Sequence, residues 1–222
     1  MMRYSKKTVC ALVLFICIVS TKCYSEGKGT LNIGALYNGL FSNNYTNGLG
    51  TAVGFEYRPA IIKNISLSLR YKYVYSHFDD GSKIIIGDDG TINPYNRNPR
   101  LSYNLHTQQI GIVPKYYYEL MDGVEIFIEN EFNYVVVTGE VKYLLDVNEK
   151  RNIKSYIPFT YSALVGFEIE NERVHYGFSL GYTTLNFKDA VAKNKPPNYT
   201  ARISRLETGI LMNFYFKFPL FK

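Results

Sequence analysis

Several residue types are scarce in this sequence of 222 residues, which has no tryptophan, three cysteines and three histidines. The cysteines are Cys10, Cys17 and Cys23, so beyond residue 25 the chain has no disulfide, no thiol nucleophile and no cysteine ligand for a metal. That part also has no run of 18 apolar residues, which excludes a membrane-spanning helix there. Apolar residues at the helical spacing are almost absent, so an all-α fold is excluded as well.

The start of the chain has three basic residues followed by an apolar run from Val9 to Val19. A short apolar run behind positive charges and before small residues is typical of a secretory signal peptide. We therefore predict a signal peptide over residues 1–25, cleaved after Ser25, and one domain over residues 26–222. A retained N-terminal anchor would need an apolar run of about 20 residues. A lipidated Cys23 would need a small residue in place of the preceding lysine.

The positive charge of the sequence belongs mostly to this leader. Removing residues 1–25 takes away four basic residues and no acidic one, so the formal charge falls from +6 to +2. A nearly balanced charge and an export signal both argue against a nucleic-acid partner. No residue pattern predicts a cofactor or a dedicated metal site.

Apolar and polar residues alternate along most of the remaining chain, and this period of two predicts β-strands with one apolar face. The last stretch shows it clearly, because Phe214, Phe216 and Phe218 alternate with Tyr215 and Lys217. Eight strands are predicted, over residues 30–41, 49–58, 65–78, 103–118, 124–136, 159–170, 174–183 and 207–218. Pro114 falls inside the fourth strand and predicts a bulge there, since proline has no N–H for the ladder.

The connections between these strands alternate in length. Short turns are predicted at 59–64, 119–123 and 171–173. Longer loops are predicted at 42–48, 79–102, 138–156 and 188–200, and the Asp-Gly pairs of the second loop could carry a hairpin around residues 83–86. Short turns at one end and long loops at the other describe an up-and-down barrel.

Periodicity alone does not tell whether the apolar face lines a soluble barrel or covers a membrane barrel. On the polar face, charges of both signs alternate with glycine and serine, which suits a packed lumen better than a soluble surface. On the apolar face, two bands of aromatic residues flank aliphatic residues, as expected at the two headgroup levels of a bilayer. We therefore predict an all-β fold, an eight-stranded antiparallel up-and-down transmembrane β-barrel with short periplasmic turns and long extracellular loops.

The end of the chain carries a further pattern, made of Glu207, Gly209, Met212, Phe214 and Phe216. The order polar-x-Gly-x-x-apolar-x-aromatic resembles the C-terminal assembly signal of bacterial outer-membrane barrels, which the barrel-assembly machinery reads. The organisation of residues 29–218 is similar to the small OmpA/OmpX-like barrels and to the broad porin-like "outer membrane protein beta-barrel" family. This resemblance implies insertion in the outer membrane of a Gram-negative bacterium, with outer-membrane lipids and lipopolysaccharide as neighbours and a monomeric state.

An eight-stranded barrel is only wide enough to be filled by its own side chains. Seven charged residues of the polar face are predicted to form ion pairs there, because unpaired charges in a lumen are costly to desolvate. They are Glu56, Arg70, Lys72, Lys115, Glu129, Glu131 and Glu168. The expected lumen is therefore plugged.

These features predict a non-enzymatic outer-membrane barrel whose long loops, 79–102 and 138–156, bind an unknown extracellular ligand, mediate adhesion or stabilise the envelope. A small porin-like channel for ions or small solutes is the first alternative. A lipid A-modifying enzyme is the second, because His77 and His106 are expected near the outer rim. The deacylase-type His-x-Ser-Asn stretch is absent, since Thr107 and Gln108 follow His106.

Two loop features also have a binding interpretation beside a structural one. Asp79-Asp80-Gly81 and Asp88-Asp89-Gly90 could hold a divalent cation, although turn chemistry explains them at least as well. The last loop and the start of the closing strand are rich in basic residues, which suits anionic headgroups or simply a solvated loop. These residues are Lys188, Lys193, Lys195, Arg202 and Arg205.

Overall fold

The computed structural model describes residues 27–39, 47–79, 100–144, 149–171, 173–197 and 207–221. Within them, antiparallel strands pair in chain order and the last strand closes on the first. The strands are β1 Gly27–Gly39, β2 Asn47–Pro59, β3 Ile65–Asp79, β4 Arg100–Met121, β5 Val124–Leu144, β6 Glu149–Ile169, β7 His175–Asn186 and β8 Glu207–Phe221. The predicted eight-stranded up-and-down barrel is confirmed. The predicted signal peptide lies outside the described residues.

The three short connections lie at one end of the barrel, which we call the short-turn end. The turn between β4 and β5 consists of Asp122 and Gly123 alone, and Gly123 has a φ of 75°, a left-handed conformation that favours glycine. The turn between β2 and β3 is held by the N–H of Ile62, which donates to the carbonyl of Pro59 over 3.3 Å. The predicted short turns are confirmed.

The strands β4, β5 and β6 are far longer than a bilayer requires. They contain 22, 21 and 21 residues, whereas a tilted transmembrane strand needs about 9–11. Because the turn between β4 and β5 fixes one end, the excess projects at the opposite, long-loop end. Here the predicted loop over 138–156 is wrong, since β5 continues to residue 144 and β6 begins at 149.

The physical reason is that the alternation continues in this part, but here the apolar residues face the inside of the barrel and the polar residues face outward. Val141 and Tyr143 are buried inside the barrel, while Glu140 and Lys142 face outward and are partly exposed. Charged residues at every second position resemble a polar loop in the sequence, although a strand in water produces the same pattern. Most of the predicted loops 42–48 and 79–102, including the hairpin at 83–86, lies outside the described residues.

A bulge occurs in β6, at Pro158. The pairing with β5 shifts between Asn133, opposite Thr160, and Val135, opposite Ile157. Two residues of β6 thus face one of β5, and proline is tolerated there because it has no N–H to contribute. The predicted bulge at Pro114 is wrong, because the register of β4 is the same on both sides of that proline.

The segment after β7 forms a short helix, α1, over Lys188–Ala192, in place of the predicted loop. Ala190 and Val191 are buried inside the long-loop end. The Tyr143 hydroxyl of β5 donates to the Val191 carbonyl over 2.7 Å, and the Arg151 guanidinium of β6 donates to the Asn194 carbonyl over 3.2 Å. Among the described residues, no helix is long and apolar enough to cross a membrane.

The interior therefore has two main layers, besides a small apolar group of Leu36, Val74, Leu164 and Leu211. The layer towards the short-turn end is polar and is described below. At the long-loop end, apolar side chains from β3 to β7 surround α1 and exclude water. We call this layer the outer apolar cluster: Phe78, Leu101, Tyr103, Leu105, Val135, Val137, Val141, Tyr143, Ile153, Leu185, Phe187, Ala190 and Val191.

A charge placed under α1 should release the helix from the barrel. In the variant Val191→Asp a carboxylate would replace a fully buried side chain, with a loss of about 2 kcal/mol or more of docking free energy. Limited proteolysis should then cleave the segment 187–197 roughly ten times faster or more, while the barrel stays folded. Ala192→Asp is the matched control, because Ala192 is exposed on the same helix. Equal cleavage rates for the two variants would contradict this packing.

Candidate functional site: the closed lumen

The polar layer contains eight fully or almost fully buried charged side chains, which we call the luminal charge cluster. Its members are Glu56, Arg70, Lys72, Lys115, Glu129, Glu131, Glu168 and Lys217. The structure places all seven residues predicted from the sequence in it. Lys217 is additional: the alternation of β8 puts it on the polar face, but it stands alone among aromatic residues, so its ion pairs were not predicted from the sequence.

One half of the cluster joins β3 to β5. The Arg70 guanidinium binds both oxygens of Glu129 in a bidentate pair, each over 3.0 Å. Arg70 also contacts Glu131, whose other oxygen pairs with Lys72. Such fork geometry is the strongest form of a charge-assisted hydrogen bond.

The other half continues from Glu129 across the barrel. Lys115 Nζ lies 3.0 Å from Glu129 Oε2 and 3.5 Å from Glu56 Oε2. Lys217 Nζ lies 3.0 Å from Glu56 Oε1 and 2.6 Å from Glu168 Oε2. The charges thus form one alternating chain that crosses the lumen and connects six of the eight strands.

The chain is electrically balanced, with four cations and four carboxylates. Buried charges are costly to desolvate, and their attraction offsets this cost only when geometry is good and further hydrogen bonds are made. Each internal carboxylate of the chain lies between two cations. The terminal carboxylate, Glu168, has Lys217 on one side and His175 Nδ1 at 3.4 Å on the other.

Neutral side chains complete the hydrogen bonding of the cluster. The Tyr117 hydroxyl donates to Glu56 Oε1 over 2.5 Å, and the Asn213 amide donates to Glu129 Oε1 over 3.3 Å. The Lys115 ammonium lies 4.7 Å from the ring centre of Tyr215, within the range of a cation–π contact. The lumen is thus a packed polar core.

Glycines on the inner face provide the room for the aromatic rings of this core. A Cβ atom on Gly177 would lie 2.2 Å from the Tyr215 ring, and one on Gly166 would lie 2.4 Å from the Phe127 ring. A cavity between Arg70 and Asn213 has a volume of about 10 Å³, roughly the space of a single water molecule. The Asn213 side-chain oxygen lacks a protein partner and could bind such a water.

The short-turn end opens into a vestibule of about 740 Å³. Arg58 lies at its inner end, where its guanidinium forms a bidentate pair with Glu125 over 2.7 and 2.8 Å. It also lies 4.5 Å from the ring centre of Tyr117, at the edge of the luminal charge cluster. The vestibule therefore ends at a layer of paired charges.

The candidate catalytic histidines lie on the outer face of the barrel. His106 Nδ1 lies 2.6 Å from the Tyr73 hydroxyl, and His77 Nδ1 lies 2.7 Å from the Asn104 amide oxygen. These contacts are with a phenol and an amide, and they do not form a nucleophile–base pair. The side chains of both predicted Asp-Asp pairs lie outside the described residues, and among the residues described no cluster of potential metal ligands occurs.

The predicted assembly residues lie along β8, which pairs with β1 as predicted. Phe214 and Phe216 face outward and pack edge to face, with ring centres 5.3 Å apart. Gly209 has a φ of 68°, at the start of the regular pairing with β7. The side chain of Glu207 is outside the described part. Recognition of this strand by the assembly machinery stays a prediction.

The outer surface carries a broad apolar band. In its middle are exposed aliphatic side chains such as Leu69 and Ile112, which are 53% and 54% exposed and lie opposite each other on β3 and β4. Exposed aromatic residues flank them on both sides. Towards the short turns are Tyr116, Tyr118, Phe167, Tyr176, Phe216 and Phe218; towards the long loops are Tyr73, Tyr75, Phe132, Tyr134, Tyr156, Phe159 and Tyr182.

An apolar band between two aromatic girdles, around a closed polar interior, defines a transmembrane β-barrel. The fold is that of the small eight-stranded barrels which the sequence resembles. The predicted inversion, with charges inside and apolar residues outside, is confirmed for the membrane-spanning part.

No protein-family model and no curated protein sequence matches the chain. Among solved structures it is similar to Ail, the attachment invasion locus protein of Yersinia pestis, crystallised with the heparin analogue sucrose octasulfate; the identity is 11%, the match covers 87% of this chain and 97% of that one, and the TM-score is 0.41. It is also similar to Neisserial surface protein A, with an identity of 8% and a TM-score of 0.42; the match covers 86% of this chain and 93% of that one. For the N-terminal β-barrel domain of Pseudomonas aeruginosa OprF the identity is 12% and the TM-score is 0.40, and the match covers 88% of this chain and 100% of that one.

Breaking the alternating chain at its centre should destabilise the barrel strongly. In Glu129→Gln, Arg70 and Lys115 would keep their buried charges without the carboxylate between them, and we expect a loss of about 3–5 kcal/mol in the free energy of unfolding. Urea unfolding of the lipid-inserted protein, followed by gel mobility, measures it. The control is Glu140→Gln, because Glu140 pairs with Lys142 and Lys150 at the surface and should contribute less than about 1 kcal/mol. A similar small loss in both variants would refute the structural role of the cluster.

Proposed function

We propose that the protein is a non-enzymatic integral barrel of the outer membrane of a Gram-negative bacterium, with a closed lumen and a long-loop end that serves binding, adhesion or envelope stability. The luminal charge cluster is the observation that carries this proposal. Its charges compensate each other in pairs, so none remains free to attract a permeating ion. A lumen built in this way supports the barrel and does not conduct.

The second barrier in the same path is the outer apolar cluster. An ion that passed the charges would enter a layer of fully buried residues such as Val137 and Phe187, whose apolar side chains do not replace its hydration shell. Two closures of opposite chemistry, one polar and one apolar, therefore lie in series. This arrangement favours the plugged barrel over the porin-like channel.

The long-loop end supports a role at the cell surface. There β4, β5 and β6 extend beyond the bilayer as a continuous paired sheet, and their outward side chains are polar or charged, as at Lys142, Asn152 and Lys154. A rigid sheet that presents loops is a common arrangement for binding sites. Lys188, Lys193 and Lys195 are exposed on and after α1, and basic side chains of this kind suit anionic phosphate groups.

The contacts of His77 and His106 support the non-enzymatic role, because both imidazoles are already engaged at the outer girdle, where tyrosine rings commonly lie at headgroup level. A lipid A-modifying enzyme needs a nucleophile or an activated water beside its base. The described neighbours of both rings do not provide one.

Electrical recording tests the closed lumen. In planar bilayers the purified barrel should give no steady channels, because both closures span the lumen. A large open porin inserted by the same procedure is the control for insertion and detection. Steady channels of nanosiemens size would overturn the proposal in favour of the porin-like alternative.

Mass spectrometry of lipid A tests the non-enzymatic role. Lipid A from cells with and without the protein should give the same mass spectrum, and a protein-dependent mass change would instead show the enzyme.

A further inference from the structure

The apolar surface of the barrel does not stop at the aromatic girdle of the short-turn end. In the turn between β2 and β3, Ile61 and Ile62 are 87% and 51% exposed. At the end of β4, Leu120 and Met121 are 56% and 60% exposed. Four large apolar side chains thus stand free within or directly before turns, where polar residues would be expected at a periplasm-facing end.

These two connections are neighbours. β3 and β4 are paired up to Ile65 and Tyr116, and the Tyr117 N–H of β4 donates to the Asn64 carbonyl of the β2–β3 turn over 2.7 Å. Directly above them on the same strands lie the exposed Leu67 and Tyr118 of the lipid-facing band. The four side chains therefore extend an existing apolar surface.

The β2–β3 turn holds its apolar residues out by its own hydrogen bonding. Within the turn, the Ile65 N–H donates to the Ile62 carbonyl over 3.1 Å. Arg58, anchored on Glu125, also donates to the carbonyl of Lys63. The exposure of Ile61 and Ile62 is thus a fixed feature of the backbone geometry.

The remaining short connection differs. Between β6 and β7 the exposed residues among those described are Asn171 and Arg173. Leu220 near the end of β8 is exposed and apolar as well. The short-turn rim therefore has exposed large apolar side chains, interspersed with Lys63, Glu119 and Asp122, on one side of the barrel, and exposed polar side chains at the β6–β7 connection.

From this continuity we propose that the β2–β3 turn and the end of β4 lie within the lipid headgroup layer of the periplasmic leaflet, while the β6–β7 connection lies in water. If the girdle at Tyr118 marks the hydrocarbon boundary, Leu120 lies about 5–7 Å further along the strand, and the interfacial layer on each side of a bilayer is roughly 5–8 Å thick. The lipid layer thus reaches the four side chains. This inference deepens the proposed membrane-embedded function and rests on it.

The absence of tryptophan from the sequence makes a direct test simple, since a single introduced tryptophan reports its own surroundings. Three variants are compared: Ile61→Trp in the apolar turn, Arg173→Trp as the matched turn control, and Leu69→Trp in the middle of the band. Each is inserted into phosphatidylcholine vesicles whose acyl chains are brominated either near the headgroup or near the chain centre. Gel mobility confirms folding of each variant.

We expect Leu69→Trp to be quenched by both lipids. Ile61→Trp should show blue-shifted emission and be quenched by lipid brominated near the headgroup, several-fold more than Arg173→Trp. If Leu69→Trp is quenched but Ile61→Trp and Arg173→Trp behave alike, with water-like emission, the turn proposal fails and the membrane barrel stands. If Leu69→Trp is not quenched in folded protein, the proposed membrane location itself fails.

Discussion

A strand that crosses a bilayer has no water to satisfy its peptide groups, so its N–H and C=O groups must pair with other strands. In this protein the closure of β8 on β1 meets that constraint, and the remaining features depend on it. A ring of eight strands is narrow enough for side chains to fill it. The inner face must therefore be a packed core, and the outer face must match the lipid. The luminal charge cluster satisfies the first demand, since its carboxylates and cations alternate without interruption from Lys72 to Glu168.

The same strands change medium along their length, and the side chains follow. In β5, the inward residues are Glu129 and Glu131 at membrane level and Val137 and Val141 further out. Where lipid surrounds the barrel, the polar groups are inside; where water surrounds it, the apolar groups are inside. The long-loop end thus has a core of the kind found in a soluble domain, with α1 as its lid. The two layers close the lumen by different physical means.

Much of the membrane-spanning part could be predicted from the sequence, because a period of two between fixed turns is a strong signal. The outer halves of β5 and β6 could not, since outward charges such as Lys142 resemble a loop when the inward residues are not known. A five-residue helix such as α1 is too short to show a period. Pro114 and Pro158 look alike in sequence, and only the pairing with β5 distinguishes a tolerated proline from a bulge. Lys217 was missed as a partner because it stands alone among the aromatic residues of β8.

Access of solutes to the luminal charge cluster tests the account most directly. Ser179 is fully buried beside Glu129 and Asn213, and residues 26–222 contain no cysteine, so Ser179→Cys places a single thiol inside the closed lumen. A small charged methanethiosulfonate reagent should leave it unmodified in the folded, lipid-inserted barrel and label it after unfolding, whereas the exposed control Lys193→Cys should label in both states. Labelling of the folded Ser179→Cys barrel at the rate of that control would show an open lumen and contradict the account.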